Sequence, residues 1–402
     1  MDKLYKSIWI FCLLFLVTGC WDQNEIEERG FVIGAAVDMV EEQTDDSGGE
    51  MFEKELGNKY KLTYQFVVPG NFTGGGGGQS GGGASEGKPF LNLTAEGTAI
   101  HQITRRMATE TSRKPYLEHI HLIVLSEELS RKGHLKDVMD FFVRDHEMRR
   151  VAKVMVSEGE ARKTLEISPQ HEKMPVLFIE SLSENIVKHS TSLPPINIGD
   201  VHRYLLKGNS FAIPRIVVKN NKGALLGAAI FNSQGQKMIG TLNESETLGM
   251  NFITGKAKSA ILEFLMNGQL VAFEIKSAKS QIEADVSDKD QIKFTVKINV
   301  EGNVGELYGD LALENQSVLS EIEEKTAKEI ERITDRVIDK VQKKYKADVF
   351  ELGAYLKQEY YKTWKQVNKE WDKGGNYFSK SVIDVQVNVE VRQIGASIKL
   401  IK

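Results

Sequence analysis

Ser381 to Arg392 reads SVIDVQVNVEVR, and its alternation is unbroken: Ile383, Val385, Val387, Val389 and Val391 share one face. A period of two marks a strand with one buried face. Gln291 to Val300 (QIKFTVKINV) repeats the pattern, with Ile292, Phe294, Val296, Ile298 and Val300 aligned. Between these strands, from about Ser317 to Lys346, the apolar residues Leu319, Ile322, Ile330, Ile333, Val337, Val341 and Tyr345 recur near a spacing of 3.6. That spacing predicts one long helix, and a second is expected over about Val349 to Asp372. Ala224 to Phe231 and Lys237 to Ile239 flank a turn at Ser233 to Gly235 and predict a hairpin; Leu270 to Ile275 is a further strand. One-faced strands with long helices between them imply an antiparallel sheet covered on one side, an α+β arrangement.

Before Asn220 the texture differs. Phe31 to Val37 (FVIGAAV) and His121 to Leu125 (HLIVL) are continuous apolar runs, read as buried strands. Tyr60 to Val68 alternates; Leu91 to Thr94, Val151 to Val156 and Phe211 to Val218 complete the strands. Ala99, Ile100, Ile103 and Met107 mark one helix face, and Leu135, Val138, Met139 and Phe142 another. Ala161 to Ile167 and Val176 to His189 read as helical. Thr73 to Gly87 (TGGGGGQSGGGASEG) is nearly all Gly and Ser, the composition of a flexible loop. This mixed region and the sheet-and-helix region after it divide the chain at about 219/220.

Composition bounds the function. Hydrophobic residues make up 41% and charged residues 27% of 402, which suits a globular body with a sizeable core. Net charge is −4, so no basic excess marks a nucleic-acid binder. Two cysteines cannot build a disulfide framework. The N-terminus reads as an export signal over residues 1–19. Lys3 and Lys6 outweigh Asp2, and Ile8 to Val17 (IWIFCLLFLV) is an apolar run of signal length, too short to span a bilayer. It ends in Leu16-Val17-Thr18-Gly19-Cys20, a lipobox. Cleavage is therefore expected between Gly19 and Cys20, with Cys20 acylated. Stable retention then comes from the acyl chains, because more than one chain anchors firmly.

No constellation carries chemistry. Gly82, Gly87 and Lys88 fit G-x-x-x-x-G-K, but Pro89 stands where a Ser or Thr would hold Mg²⁺. His119 and His121, spaced as on one strand face, supply two metal ligands with no third. Arg144, Asp145, His146, Glu147, Arg149 and Arg150 cluster without a nucleophile and read as a helix cap with surface ion pairs. No H-E-x-x-H occurs, and the G-x-S-x-G matches, Gly78 to Gly82 and Gly83 to Gly87, fall inside the Gly/Ser tract rather than at a strand-to-helix turn. No cofactor, metal or catalytic residue is expected.

With these segments in view, the chain resembles the Ger(x)C family, the C subunits of spore germinant receptors. The resemblance begins at Gly19-Cys20-Trp21-Asp22, runs through Glu25 to Val32 and reaches Asp38. It resumes at Tyr116 to Ile120, Ser126 to Leu129 and Phe141 to Glu147. It returns in Gly227 to Phe231, Lys237 to Gly240 and Asn243 to Gly255, and then in Asp348 to Phe350, Trp364 and the final strand. The resemblance implies a mixed α+β fold in an N-terminal part (20–219) and a C-terminal part (220–402). It implies a non-enzymatic lipoprotein at the inner spore membrane, its body outside the cytoplasm, assembled with integral-membrane A and B subunits. Only Cys20 carries over as a defined site, and 73–87 looks like an insertion. Two other functions remain in view: a solute-binding lipoprotein, which needs a cleft between two similar lobes, and an envelope hydrolase, which needs a nucleophile or metal set.

Overall fold

The computed structural model describes residues 28–40, 58–69, 88–185, 190–309, 311 and 313–393. Gly19, Cys20 and the glycine-rich stretch 73–87 lie outside the described residues.

The first sheet is built on three central parallel strands, β1 (Arg29–Met39), β5 (Leu122–Ser126) and β6 (Lys153–Ser157), joined in parallel by β7 (Phe211–Lys219). β2 (Tyr60–Val67) and β3 (Phe90–Gly97) extend one side antiparallel, and β8 (Lys222–Phe231) and β9 (Met238–Leu242) extend the other. The short β4 (Lys114–Tyr116) pairs with the start of β1. Helices cover both faces, which is why the central strands are apolar without alternation. On one side lie Ile100, Ile103 and Met107 of α1 (Ile100–Glu110). Beside them are Leu135, Val138, Met139 and Phe142 of α3 (Leu135–Arg144), reached through α2 (Glu127–Lys132). These are the faces expected from spacing; burying each such side chain contributes about 1.5–3 kcal/mol. The other side receives Leu165 of the 3₁₀ turn Arg162–Leu165 and Val176 and Ile179 of α4 (Pro175–Asn185).

The hairpin β2–β3 holds the ends of the glycine-rich stretch together: Val68 N–H donates to the Pro89 carbonyl at 2.8 Å. Replacing residues 73–87 by about four residues is expected to leave the melting temperature within about 5 °C, because loop length enters closure entropy only logarithmically. A larger fall in a thermal scan would show that the segment packs on the body.

The second sheet has the order β10 (Ala260–Met266), β11 (Gln269–Asp285), β12 (Lys293–Tyr308), β13 (Val382–Gln393). Its first three strands are antiparallel; β13 runs parallel to β12. The α+β class agrees with expectation, but the sheet is mixed. The chain between β12 and β13 crosses over through the helices, and such a crossover returns a strand parallel. Phe294, Val296, Ile298 and Val300 of β12 pack with Ile322, Ile330, Ile333 and Val337 of α7 (Gln316–Asp339) in one core. The outer face carries ion pairs such as Lys297–Glu283 at 2.7 Å and Arg392–Glu301 at 2.8 Å.

Other expectations need adjustment. The long helix stops being α-helical at Asp339 and ends in a π turn, Lys340–Tyr345. The helix expected over 349–372 is broken into α8 (Leu352–Glu359), α9 (Tyr361–Val367) and a 3₁₀ turn, because Tyr360 leaves helical geometry at φ −128°. Four helices were unforeseen: α2, α5 (Ile198–Lys207), α6 (Glu244–Ile253) and the short α10 (Tyr377–Lys380). A division at 219/220 falls in the β7–β8 hairpin turn, where Asn220 and Asn221 have φ of +49° and +60°. β8 and β9 thus complete the first sheet, and Ala228, Ile230 and Leu242 share a core with the second. No helix among the described residues is long and apolar enough to cross a membrane.

Candidate functional site

The residues singled out for chemistry are dispersed. His119 sits in a turn against the rings of Phe31 and Tyr116, whereas His121 pairs through Nδ1 with Glu180 at 2.8 Å. They do not share a strand face, since both precede β5. Among the described residues no three His, Cys, Asp or Glu groups gather as metal ligands would. In the Arg144–Arg150 cluster the charges serve structure, as expected. Arg144 pairs with Asp140 at 2.8 Å, Asp145 Oδ1 accepts the Glu147 N–H, and Glu147 Oε2 accepts the Leu117 N–H. Arg149 pairs with Glu118 at 2.8 Å, and that hydrogen bond holds the Glu118 carboxyl below the usual range.

Two clefts stand out among the described residues. The larger, about 610 Å³, lies between the start of α1 and the end of α3 and includes Tyr60, His101, Phe141, Arg144 and Asp145. Tyr60 bonds His134 Nδ1 at 3.2 Å, and burial raises its pKa to about 12. The aliphatic hydroxyl in its wall, Thr98, donates to Gln102 Oε1 and is not set against an imidazole base. The smaller cleft, about 330 Å³, opens between the two halves beside Arg203, Tyr204, Lys256 and Glu351. Glu351 Oε1 accepts from Tyr204 O–H and pairs with Lys256, both at 3.2 Å. Its backbone is left-handed, at φ +64°. Strain of that kind persists only where neighbours over-determine it. Here the neighbour is Asp348, whose carboxylate accepts the N–H groups of Phe350, Leu352 and Gly353 and the Trp371 Nε1–H.

This seam is where many resemblance-bearing residues meet. Tyr345 lays its ring on Gly240, and its hydroxyl accepts the Thr241 N–H at 3.2 Å and donates to the Thr241 carbonyl at 2.9 Å. Asn243 and Glu246 form a capping box at the start of α6. Buried Glu246 also pairs with Lys340 at 2.6 Å. Gly249 lets α6 approach α7, since a Cβ there would lie 2.7 Å from the Ile333 carbonyl oxygen. Asn251 Nδ2 donates to the carbonyls of Ser190 and Ser192. At the far end of β1, Asp38 accepts the N–H groups of Ala161 and Arg162, and burial lifts its pKa to about 6. The arrangement locks two sheets together and brings no nucleophile to a base.

Residues 22–218 fit the family "Spore germination protein N-terminal domain", and residues 226–395 fit "Spore germination B3/ GerAC like, C-terminal". Spore germination protein YndF of Bacillus subtilis (strain 168) is 34% identical, the alignment covering 98% of each chain. Spore germination protein A3 of the same organism is 28% identical over 97% of this chain and 98% of its own. The crystal structure of the GerBC protein superposes with a TM-score of 0.60 at 21% identity, covering 89% of this chain and 97% of that one, a likeness of fold. With both family segments present in order and a relative matched end to end, the chain belongs to the GerAC-like spore germination protein family.

Proposed function

We propose that this chain is the lipid-anchored C subunit of a nutrient germinant receptor. Cys20 carries the lipid after cleavage behind Gly19. The body stands outside the cytoplasm at the inner spore membrane and assembles with the integral-membrane A and B subunits. It performs no chemistry of its own and contributes to germination in response to nutrient. The observation that supports this most is the end-to-end similarity to spore germination proteins, which covers 97–98% of the chain. The lipobox Leu16 to Cys20 supplies the anchor.

Cys20→Ala is the test. It removes the acylation and cleavage site and leaves the folded body intact, because Cys20 precedes the first strand. Loss of the tether lowers the local concentration of the subunit near its partners, so the nutrient response is expected to fall by on the order of tenfold or more. Germination by a trigger that bypasses receptors stays normal. Fatty-acid probe labelling, spore fractionation and a germination assay read the outcome. A wild type that takes no label, or a variant that remains membrane-bound and fully responsive, sinks the reading. Germination unaffected by deletion of the whole chain would instead favour a solute binder or hydrolase.

A further inference from the structure

We propose that residues 394–402 of this chain dock on the outer face of the second sheet at its β10 side, running first beside Val304 to Tyr308 of β12 and then across Tyr308, Leu270 and Leu265. That face is apolar and open among the described residues. Leu265 is 65%, Tyr308 62% and Ile261 59% exposed. Register sets Leu265 opposite Leu270 and Leu270 opposite Tyr308, so three large side chains form one row across β10, β11 and β12. The adjoining row is Glu263, Ala272 and Glu306, and Ile261 with Glu274 follows it. Side chains two residues apart on a strand share a face, so these rows look outward together. A contiguous apolar surface rimmed by polar groups marks a docking site.

Charge and chain geometry choose the occupant. Residues 260–275 and 303–308 contain Glu263, Glu274 and Glu306 and no lysine or arginine. Tyr308 O–H donates to Glu306 at 3.0 Å, and that bond together with the charge of Glu263 raises its pKa, which puts both carboxylates beside the row. The cations that come next along these strands are already paired: Lys276 with Glu274, and Arg392 with Glu301 and Glu390. Lys258, before β10, is about 23 Å along the strand from Leu265. The face therefore suits a segment that is apolar and basic. Residues 394–402 read IGASIKLIK: Ile394, Ile398, Leu400 and Ile401 with Lys399 and Lys402, and no acid. They lie outside the described residues, but their starting point is fixed. β13 runs parallel to β12, and its last residue, Gln393, pairs with Asn303. β12 continues to Tyr308 paired only with β11, so Val304 to Tyr308 present an open strand edge among the described residues. Five residues, 394–398, match that edge in length. The remaining four reach about 13 Å, against about 10 Å for the two strand spacings from β12 to β10. Leu400 and Ile401 then cover the apolar row, while Lys399 and Lys402 meet Glu306 and Glu263. One short segment thus withholds an open edge and an apolar face from other chains.

The test uses the full chain without substitutions first. A carbodiimide joins a lysine to a carboxylate only where the two touch, and mass spectrometry of the digest reads the pairs. Cross-links from Lys399 or Lys402 to Glu263 or Glu306 are expected. Mixing isotope-labelled and unlabelled protein before the reaction shows whether each link lies within one chain. Hydrogen exchange gives the second measurement. The peptide covering Val304 to Tyr308 is expected to exchange at least about fivefold faster when residues 394–402 are removed, while β5 and β6 keep their protection. Lys399→Glu with Lys402→Glu should speed the same exchange, and adding Glu263→Lys with Glu306→Lys should slow it again, because the charges then match in reverse. Absence of any link from Lys399 or Lys402 to these glutamates overturns the inference. Links found only between labelled and unlabelled chains assign the face to a second copy and also overturn it. Exchange at Val304 to Tyr308 that is indifferent to removal of 394–402, or charge reversals that do not compensate each other, count equally against it.

Discussion

Asp348→Ala is expected to cost about 4 kcal/mol of stability, because it strips the acceptor from four donors inside the fold. The carboxylate is 6% exposed and binds Gly353 N–H and Trp371 Nε1–H at 2.7 Å, and Phe350 and Leu352 N–H at 3.2 Å. Each donor left unpaired away from water costs about 1–3 kcal/mol, partly offset by relaxation and water entry. Asp348→Asn keeps the shape but turns an amide N–H₂ toward N–H groups, so it is expected to recover less than half of the loss. Burial raises the Asp348 pKa to about 6, against the pull of its hydrogen bonds. The folded chain therefore binds this proton more tightly than the unfolded chain, where the pKa is about 3.9. Folded-state proton uptake below about pH 6 means that this group adds stability as pH falls. The difference between wild type and Asp348→Ala should thus widen by about 1 kcal/mol between pH 7 and pH 5. Urea unfolding at both pH values measures it. A loss under about 1 kcal/mol at pH 7, or a difference that narrows toward pH 5, would contradict the assignment.

What could be read beforehand follows from how each element is buried. α1 and α3 each lay one face on a sheet, so Ile100, Ile103 and Met107, and Leu135, Val138, Met139 and Phe142, announce themselves by spacing. β12 has one buried face along most of its length, and the alternation around Phe294, Val296 and Ile298 shows it. α6 is different: from Glu246 to Ile253 every residue is buried, so no period survives. The signal that remained was Asn243 with Glu246, a capping box. Asn197 with Asp200 gave the same sign for α5. β10 was lost because Ile261 and Leu265 point apolar side chains outward, blurring its alternation. The polar end of β11 hid its true length. Asp348 could be quoted as part of a resemblance, but its task depends on Trp371, 23 residues away, and no local pattern reveals that. Cys20 shows the reverse case: a short local motif designates it, and its meaning lies in processing, which packing does not record.

Gly240→Val is expected to break the lock between the two halves, at about 3 kcal/mol or more. A Cβ on Gly240 would fall inside the Tyr345 ring, striking Cζ, Cε1 and the hydroxyl. The ring has little freedom to retreat, because its hydroxyl is held by both the N–H and the carbonyl of Thr241. Those two bonds occupy part of the outer edge of β9, the last strand of the first sheet. Tyr345 itself leaves from the π turn that ends α7, so moving it would disturb Val341, which is fully buried. Overpacking a site with no exit typically costs about 1–3 kcal/mol, and losing the paired bonds adds about 1 kcal/mol. If the collision is the cause, shrinking the partner should relieve it: Tyr345→Ala alone is destabilising, yet Gly240→Val combined with Tyr345→Ala should be more stable than the sum of the single losses implies. A double-mutant cycle on chemical unfolding reads that coupling, expected to exceed about 1 kcal/mol in favour of the pair. Hydrogen exchange gives the local view. In Gly240→Val the amides of β9 should lose protection while those of β5 and β6 keep theirs, because the central parallel strands are buried on both faces and do not touch the seam. Strictly additive losses, or uniform loss of protection across both sheets, would show that Gly240 is required for some other reason than the ring that rests on it.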